Sequence, residues 1–330
     1  MLNLAGVRKA RRAIQGLALH TPIIASRSLS ARTDHPVWLK LETLQPTGAF
    51  KIRGAANALK RLTAEQRKRG VVCCSTGNHG RAVAHVAARL GIPATVCVSH
   101  LVPDNKVTSI RELGAEVRRI GTCQDDAQKE ARLITEETGA IDIPPFDHTA
   151  VIEGQGTMAL EILEDVADIE TILVPLSGGG LIGGIALAAK SLKPSIRIVG
   201  ISMERGAAMQ ASLAAGKPVE VEEVTSLADS LGGGIGIDDR WTFDLCRRLV
   251  DDVVLLSEAE ILAGMRSLLL EDRIVAEGAG AIGVAAILAG KVKPKGPTAI
   301  IVSGQNVDMQ QLLALARSEP VPLGDVMVKG

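Results

Sequence analysis

Residues 171–192 read TILVPLSGGGLIGGIALAAKSL. The run Thr171–Leu176 is uncharged, rich in β-branched residues and of strand length. A strand without a polar face is one buried on both sides. Leu181–Leu192 reads as a helix, free of proline and rich in good helix formers. Between the two stand Gly178, Gly179 and Gly180, a turn where backbone comes close to something else. A buried strand passing through a tight turn into a helix opens a parallel strand–helix–strand unit.

The same alternation extends in both directions. Upstream, Val71–Ser75, Ala94–Ser99, Glu116–Ile120 and Ile141–Pro144 read as strands. The helices between them are one whose Ala82, Val83, Val86, Ala87 and Leu90 share a face, one opened by Pro103 and Asp104, and Asp125–Thr138. Downstream, strands Ile196–Ser202, Val253–Leu256 and Thr298–Val302 precede helices Arg205–Ala215, Glu258–Leu270 and one near Asp308–Arg317. No linker or internal repeat divides the chain, and the glycine-dense stretches 178–184 and 232–236 are too short to be linkers. The expected fold class is α/β, with two lobes, each a mostly parallel sheet flanked by helices. A ligand is expected in the cleft, beyond the carboxyl ends of the strands.

Composition narrows the partners. With 330 residues, 46% of them hydrophobic, the chain can bury a large core. Thirty-seven basic residues balance 37 acidic ones, which argues against a nucleic-acid or membrane-surface binder. No apolar run is long enough to span a bilayer. There is no tyrosine, and Phe50, Phe146, Phe243, Trp38 and Trp241 are the only aromatic residues, so the core must be aliphatic. The cysteines Cys73, Cys74, Cys97, Cys123 and Cys246 lack C-x-x-C spacing and read as small buried hydrophobes of a protein from the reducing cytoplasm. No metal is expected. The acid-free first 33 residues carry Arg8, Lys9, Arg11 and Arg12. A transit peptide has this look, but Val7, Ala10, Ile14 and Leu17 recur at helical spacing, so an ordinary surface helix explains it.

Four segments could carry chemistry. The triple-glycine turn Ser177–Leu181 lets consecutive N–H groups converge on an anion at a helix N-terminus, so a phosphate is its natural guest. Gly178, Gly180 and Gly183 also spell the dinucleotide pattern, with Glu204 placed as its ribose acid. In Gln45–Ala55, Lys51 stands among Ala49, Phe50 and Ile52, where desolvation would free its amine as nucleophile and base, although most lysines are merely solvated charges. Ser75-Thr76-Gly77-Asn78-His79-Gly80 offers hydroxyls, an amide and N–H groups to a carboxylate, or simply caps a helix. Ser303, in Val302–Asp308, either meets a ligand or caps the final helix.

Together the segments say more. LKLETLQPTGAFKIRGA, STGNHG, EGQGT, VPLSGGGL, EGAGA and VSGQNVD follow one another from about Thr21-Pro22 to about Asp308. This ordered set resembles the pyridoxal-phosphate enzymes of the threonine/serine dehydratase group, which have the tryptophan-synthase-β-like fold. PPFDH, SMERGAAM and SLADSLGGGIG are similar to the hydroxyectoine-utilisation dehydratases of that group. The dinucleotide reading, by contrast, leaves the lysine and asparagine segments unexplained.

The resemblance implies a pyridoxal 5'-phosphate lyase that acts by α,β-elimination on a β-hydroxy amino acid such as threonine, serine or a hydroxyectoine-derived compound, with a 2-oxo acid and ammonia as products. It implies that Lys51, with Phe50 beside it, holds the cofactor and takes the substrate's α-proton. Asn78 would meet the cofactor ring hydroxyl, Ser177, Gly178, Gly179, Gly180 and Leu181 the phosphate, and Ser303 the ring nitrogen. Ser75, Thr76, Gly77 and His79 would hold the substrate carboxylate. A neutral hydroxyl at 303 need not protonate the ring, which favours elimination over transamination. Thr76 stands where related racemases place serine, and its stiffer side chain disfavours racemisation. Ser202 stands where many relatives place a cation-binding acid, so a structural cation is not expected unless Glu204 takes that acid's place. The chain stops soon after Ser303, without the regulatory domain of longer relatives, so their feedback control is not expected. A homodimer is implied, with residues 1–54 and 148–330 as the large lobe and 55–147 as the small one. The alternatives are β-replacement or racemisation on the same fold, an NAD-dependent oxidoreductase, or a binding protein without turnover.

Overall fold

The computed structural model describes residues 2–75, 77–102, 104–122, 124–324 and 326–329. In chain order the strands are β1 (Ile23–Ala25), β2 (Val37–Leu41), β3 (Val71–Cys74), β4 (Ala94–Val98), β5 (Glu116–Arg119), β6 (Ile141–Asp142), β7 (Thr171–Pro175), β8 (Arg197–Met203), β9 (Asp252–Leu256), β10 (Thr298–Val302), β11 (Val321–Leu323) and β12 (Val326–Val328). They form a six-stranded sheet in the order β1-β2-β10-β7-β8-β9, a four-stranded sheet β5-β4-β3-β6 and the hairpin β11-β12. Apart from β1, antiparallel at one edge, both larger sheets are parallel. Of their inner strands, β3, β7 and β10 are buried at every residue, as their unbroken apolar runs require. Strand β5 alternates exposed and half-buried residues because it lies at an edge.

The strand order reverses once in each sheet, and these reversals locate the site. Strands β7, β8 and β9 proceed to one side while β10 lies on the other side of β7. Likewise β3, β4 and β5 proceed one way and β6 lies on the other side of β3. Ligands collect outside the carboxyl ends of the strands at such switch points. The triple glycine follows β7, Ser303 follows β10, Ser75 follows β3, and Ile143–His148 follows β6.

Two features anchor this crevice. The helix Thr149–Asp165, which the strand–helix alternation did not single out, is buried from Ala150 to Ile162 and crosses the helix Gly180–Leu192 at van der Waals distance. A Cβ on Gly184 would lie 2.3 Å from the Ile152 carbonyl oxygen, and one on Gly156 would lie 2.7 Å from that of Gly184. The second is a buried ionic knot. Arg53 donates to both carboxylate oxygens of Glu42 at 2.8 Å and to those of Glu161 at 2.6 and 2.7 Å, while Lys40 Nζ reaches Glu161 at 2.7 Å.

Several expectations are adjusted at their ends. Strand Ile141–Pro144 stops at Asp142, because Pro144 and Pro145 have no N–H to give a ladder. The helix expected over Arg205–Ala215 starts at Ala208, after Gly206 with its positive φ of 75°. The basic N-terminus folds into the helix Leu4–Ala13, and Val7, Ala10, Ile14 and Leu17 are all buried. Cys73, Cys74, Cys97 and Cys246 are buried and form no disulfide, whereas Pro103 and Cys123 lie outside the described residues. No helix among the described residues is long and apolar enough to cross a membrane.

Candidate active site

Lys51 is placed by a turn. Gly48, at φ 71°, closes onto Gln45, and the chain then pairs with the end of β10: Phe50 N donates to Ser303 O at 3.0 Å, Gln305 N donates to Gly48 O at 2.9 Å, and Ala49 bridges Gly304. Lys51 therefore begins its helix, Lys51–Lys60, one residue from the backbone pairing with buried Ser303. Its Nζ donates to the Pro145 carbonyl at 2.7 Å and lies 5.3 Å from the centre of the Phe50 ring. Burial lowers its pKa to about 8. A partly sheltered amine that loses its proton near neutrality suits a nucleophile and base.

The strap Ile143–His148 ties the parts of the site together. Pro145 accepts from Lys51, and the Phe146 ring covers the triple glycine. A Cβ on Gly178 would sit 2.4 Å from that ring, one on Gly180 would sit 2.9 Å from Phe146 Cα, and one on Gly179 would sit 2.8 Å from Met209 Cε. Gly179 also has φ 82°, which favours glycine. The Asp147 carboxylate accepts from the backbone N–H groups of Arg240, Trp241 and Thr242, capping the helix Thr242–Leu249. The helix Gly180–Leu192, by contrast, carries no side-chain cap, so its first N–H groups remain available to a ligand. A phosphate-bearing cofactor fits this cradle.

The loop after β3 is equally constrained. Gly77 N donates to Ser75 Oγ at 3.3 Å, and a Cβ on Gly80 would lie 2.5 Å from the Ser75 carbonyl oxygen. Asn78 begins the helix Asn78–Leu90; its Nδ2 donates to Glu277 Oε1 at 2.8 Å and its Oδ1 accepts from Asn306 Nδ2 at 2.6 Å. The His79 ring is buried with Nε2 2.7 Å from Ile143 O. Burial first, then the nearby Lys51 charge, lowers its pKa to about 3, so it stays neutral. Its Nε2 is thereby committed to the strap, while Nδ1 is buried with no hydrogen-bond partner among the described residues. Thr76 lies outside the described residues. A cavity of about 440 Å³ opens beside Asn78, lined also by Gly77, Arg81, Asp229, Glu277 and Asn306.

The structure thus gathers Phe50, Lys51, Asn78, His79, the 177–181 turn and Ser303 around the two switch points. Sequence reasoning missed the roles of Pro145, Phe146, Glu277 and Asn306, although Pro145 and Phe146 stood in PPFDH and Glu277 and Asn306 in EGAGA and VSGQNVD. Glu204, the acid of the dinucleotide pattern, is exposed and held by Lys291 at 3.3 Å. Gly183 of that pattern faces Leu245, whose side chain its Cβ would meet at 3.2 Å.

A chain with a lysine amine, a phosphate cradle and a hydroxyl at the switch points of two parallel sheets has the parts of a pyridoxal-phosphate enzyme. The chain belongs to the pyridoxal-phosphate dependent enzyme family, whose pattern it matches over residues 14–304. Its architecture is the α/β fold of the tryptophan-synthase-β type. Among its relatives is a protein of Sinorhizobium fredii provisionally named a threonine dehydratase, 52% identical over 93% of each chain. An L-threonine ammonia-lyase of Thermotoga maritima is 42% identical over 94% of this chain and 77% of the relative. The solved structure of maize serine racemase superposes with a TM-score of 0.90 at 36% identity, covering 96% of this chain and 97% of that one. The family leaves the dinucleotide reading without support.

The cradle makes a direct prediction. Gly180→Ala must push the Phe146 backbone aside, so cofactor affinity is expected to fall more than about tenfold, the loss of roughly one charge-assisted hydrogen bond. Titration of cofactor-free protein with pyridoxal phosphate measures this, and an unchanged dissociation constant would show that the turn holds no phosphate.

Proposed function

We propose that this chain is an ammonia-lyase that converts a β-hydroxy amino acid such as threonine or serine into a 2-oxo acid and ammonia. The observation that carries the reading is the placement of Lys51: a sheltered amine lowered to about 8, beside Ser303 and one strap residue from the triple glycine. The names of the two relatives point the same way.

In this reading the N–H groups of Ser177–Leu181 hold the phosphate and Asn78 meets the ring hydroxyl. When bound, pyridoxal phosphate supplies an electron sink that acidifies the substrate's α-carbon. Lys51 Nζ accepts the α-proton and keeps it within the shelter of Phe50 and Pro145. Ser75, Thr76, Gly77 and the His79 N–H group bind the substrate carboxylate and so orient the bond to be broken. Ser303 presents a neutral hydroxyl instead of a carboxylate, which favours loss of the β-hydroxyl over transamination. Residues 1–54 with 148–330 serve as the cofactor lobe and 55–147 as the smaller, substrate-facing lobe. A cytoplasmic homodimer completes the proposal, four buried cysteines outside any disulfide being in keeping with a reducing compartment.

The physiological substrate is the finer question. The similarity of PPFDH, SMERGAAM and SLADSLGGGIG to hydroxyectoine-utilisation dehydratases puts a hydroxyectoine-derived amino acid on the panel with threonine and serine. Racemisation is the second reading, favoured by the likeness to the maize enzyme. The test is release of ammonia and 2-oxo acid by cofactor-loaded protein, with chiral analysis of the remaining amino acid. Ammonia from at least one β-hydroxy substrate is expected; inversion without ammonia would make the chain a racemase, and neither would leave a binding protein.

A further inference from the structure

We propose that Glu277 is a positioning residue that fixes which end of the Asn78 side-chain amide faces the cofactor. The inference rests on the reading, given above, that Asn78 meets the cofactor ring. A carboxamide has a donor end and an acceptor end of nearly equal shape, so only its partners determine its orientation. Here they do so without ambiguity. The Thr47 carbonyl can only accept, so at 3.0 Å it requires Asn306 to present Nδ2. The same Nδ2 is 2.6 Å from Asn78 Oδ1, which therefore accepts. At the other end Glu277 Oε1 accepts from Asn78 Nδ2 at 2.8 Å, while Oε2 accepts from the Asn306 backbone N–H at 3.1 Å. Among the described residues this set leaves Asn78 Nδ2 with one further N–H to give, as an oxygen on a cofactor ring would need.

Its members come from both sheets. Asn78 follows β3 of the four-stranded sheet, whereas Asn306 follows β10 and Thr47 lies in the turn before Lys51. Glu277 opens the helix Gly278–Leu288 but gives that helix no side-chain cap bond, its carboxylate being turned to Asn78 and Asn306. Burial, then the charge of Asp229, raises the Glu277 pKa to about 7, against hydrogen bonds from Ser230, Asn78 and the Asn306 N–H. Arg81 lines the same cavity. Protonation turns one carboxylate oxygen into a donor facing a donor, so the lock is tight above about pH 7 and loosens below it.

The test uses cofactor-loaded protein and two readouts besides activity: the pH midpoint of the bound cofactor's visible absorption band and the pyridoxal phosphate dissociation constant. Glu277→Gln can accept from only one of the two donors. It is expected to move the midpoint by more than about half a pH unit and to weaken binding about tenfold, one hydrogen bond's worth. Asn78→Ala should do at least as much, and the double variant no more than Asn78→Ala alone. If Asn78→Ala changes both readouts while Glu277→Gln leaves them at wild-type values, the lock is wrong and the site reading stands. If Asn78→Ala changes neither, the site reading itself falls, and the lock with it. Should Glu277→Gln fail to fold, Asn306→Ala decides by removing the other anchor: the same midpoint shift is expected, and its absence overturns the proposal.

Discussion

Replacing Lys51 with alanine is expected to lower ammonia release by roughly 10³-fold or more, the order contributed by a positioned base, without loss of thermal stability at pH 7. Reductive trapping with borohydride should label Lys51 in the wild type and nothing in the variant. The stability half of the result follows from the buried amine. Its pKa is about 8 in the fold against an ordinary 10.5, so the unfolded chain binds this proton more tightly. The resulting cost is absent above pH 10.5, grows as the pH falls towards 8, and is complete below 8. Partial exposure of Lys51 reduces that cost to roughly 1–2 kcal/mol, which the alanine variant recovers. Unfolding of cofactor-free protein at pH 7 and pH 10 measures it: the wild type should gain stability between the two relative to the variant. The rate of cofactor loading should rise with pH up to about 8 and then level off. A variant that keeps a tenth of wild-type activity would remove Lys51 from the reaction, whatever its stability.

Most of the fold and the anchoring residues of the site were legible because they obey local rules. Thr171–Leu176 and Thr298–Val302 show no polar face, so they had to be inner parallel strands, and the glycines after β7 had to be a close approach. Lys51, Asn78 and Ser303 sat in ordered segments whose combination exceeds what any one of them says. The unread parts are long-range. Nothing near Ile143–His148 in sequence says that its carbonyls will meet Lys51 and His79, or that Phe146 will cover a turn more than thirty residues away. Glu277 pairs with Asn78 across 199 residues, and its role depends on a fold that brings the segment after β3 to the start of the helix Gly278–Leu288. The isolated apolar faces of the N-terminal helix were legible; its arginines, at the surface, obey no such rule.

Arg53 is the residue whose loss should cost the fold most. Its side chain is fully buried, and so are Glu42 and Lys40, with Glu161 nearly so. Two cations face two anions, and Arg53 also donates to Thr157 Oγ1 at 3.1 Å and to Leu19 O at 3.0 Å. Replacing such a cluster as a whole with apolar groups can be neutral, but removing one member strands its partners. Arg53→Met leaves Lys40 alone with two buried carboxylates, an expected loss of about 4 kcal/mol at pH 7.5 in urea unfolding. The pH dependence identifies the cause. Burial pushes the Glu42 carboxyl up, but the Arg53 charge and hydrogen bonds, with help from Thr21 and Lys40, outweigh it and hold the group below 4.5. In the wild type this contribution is present above pH 4.5 and is lost only as the pH falls through the lowered value. In the variant burial prevails, Glu42 takes up a proton nearer neutrality, and the deficit should narrow between pH 7.5 and pH 5. A deficit that stays constant over that range would mean lost packing, not a stranded charge. Adding Glu42→Gln should restore part of the stability for the same reason. Because Arg53 stands two residues after Lys51 and bolts its helix to Thr157 and Glu161 of the helix Thr149–Asp165, the variant should also lose turnover even where it remains folded. An active-site amine is only as well placed as the helix that carries it, and here that helix is held by charges the solvent never reaches.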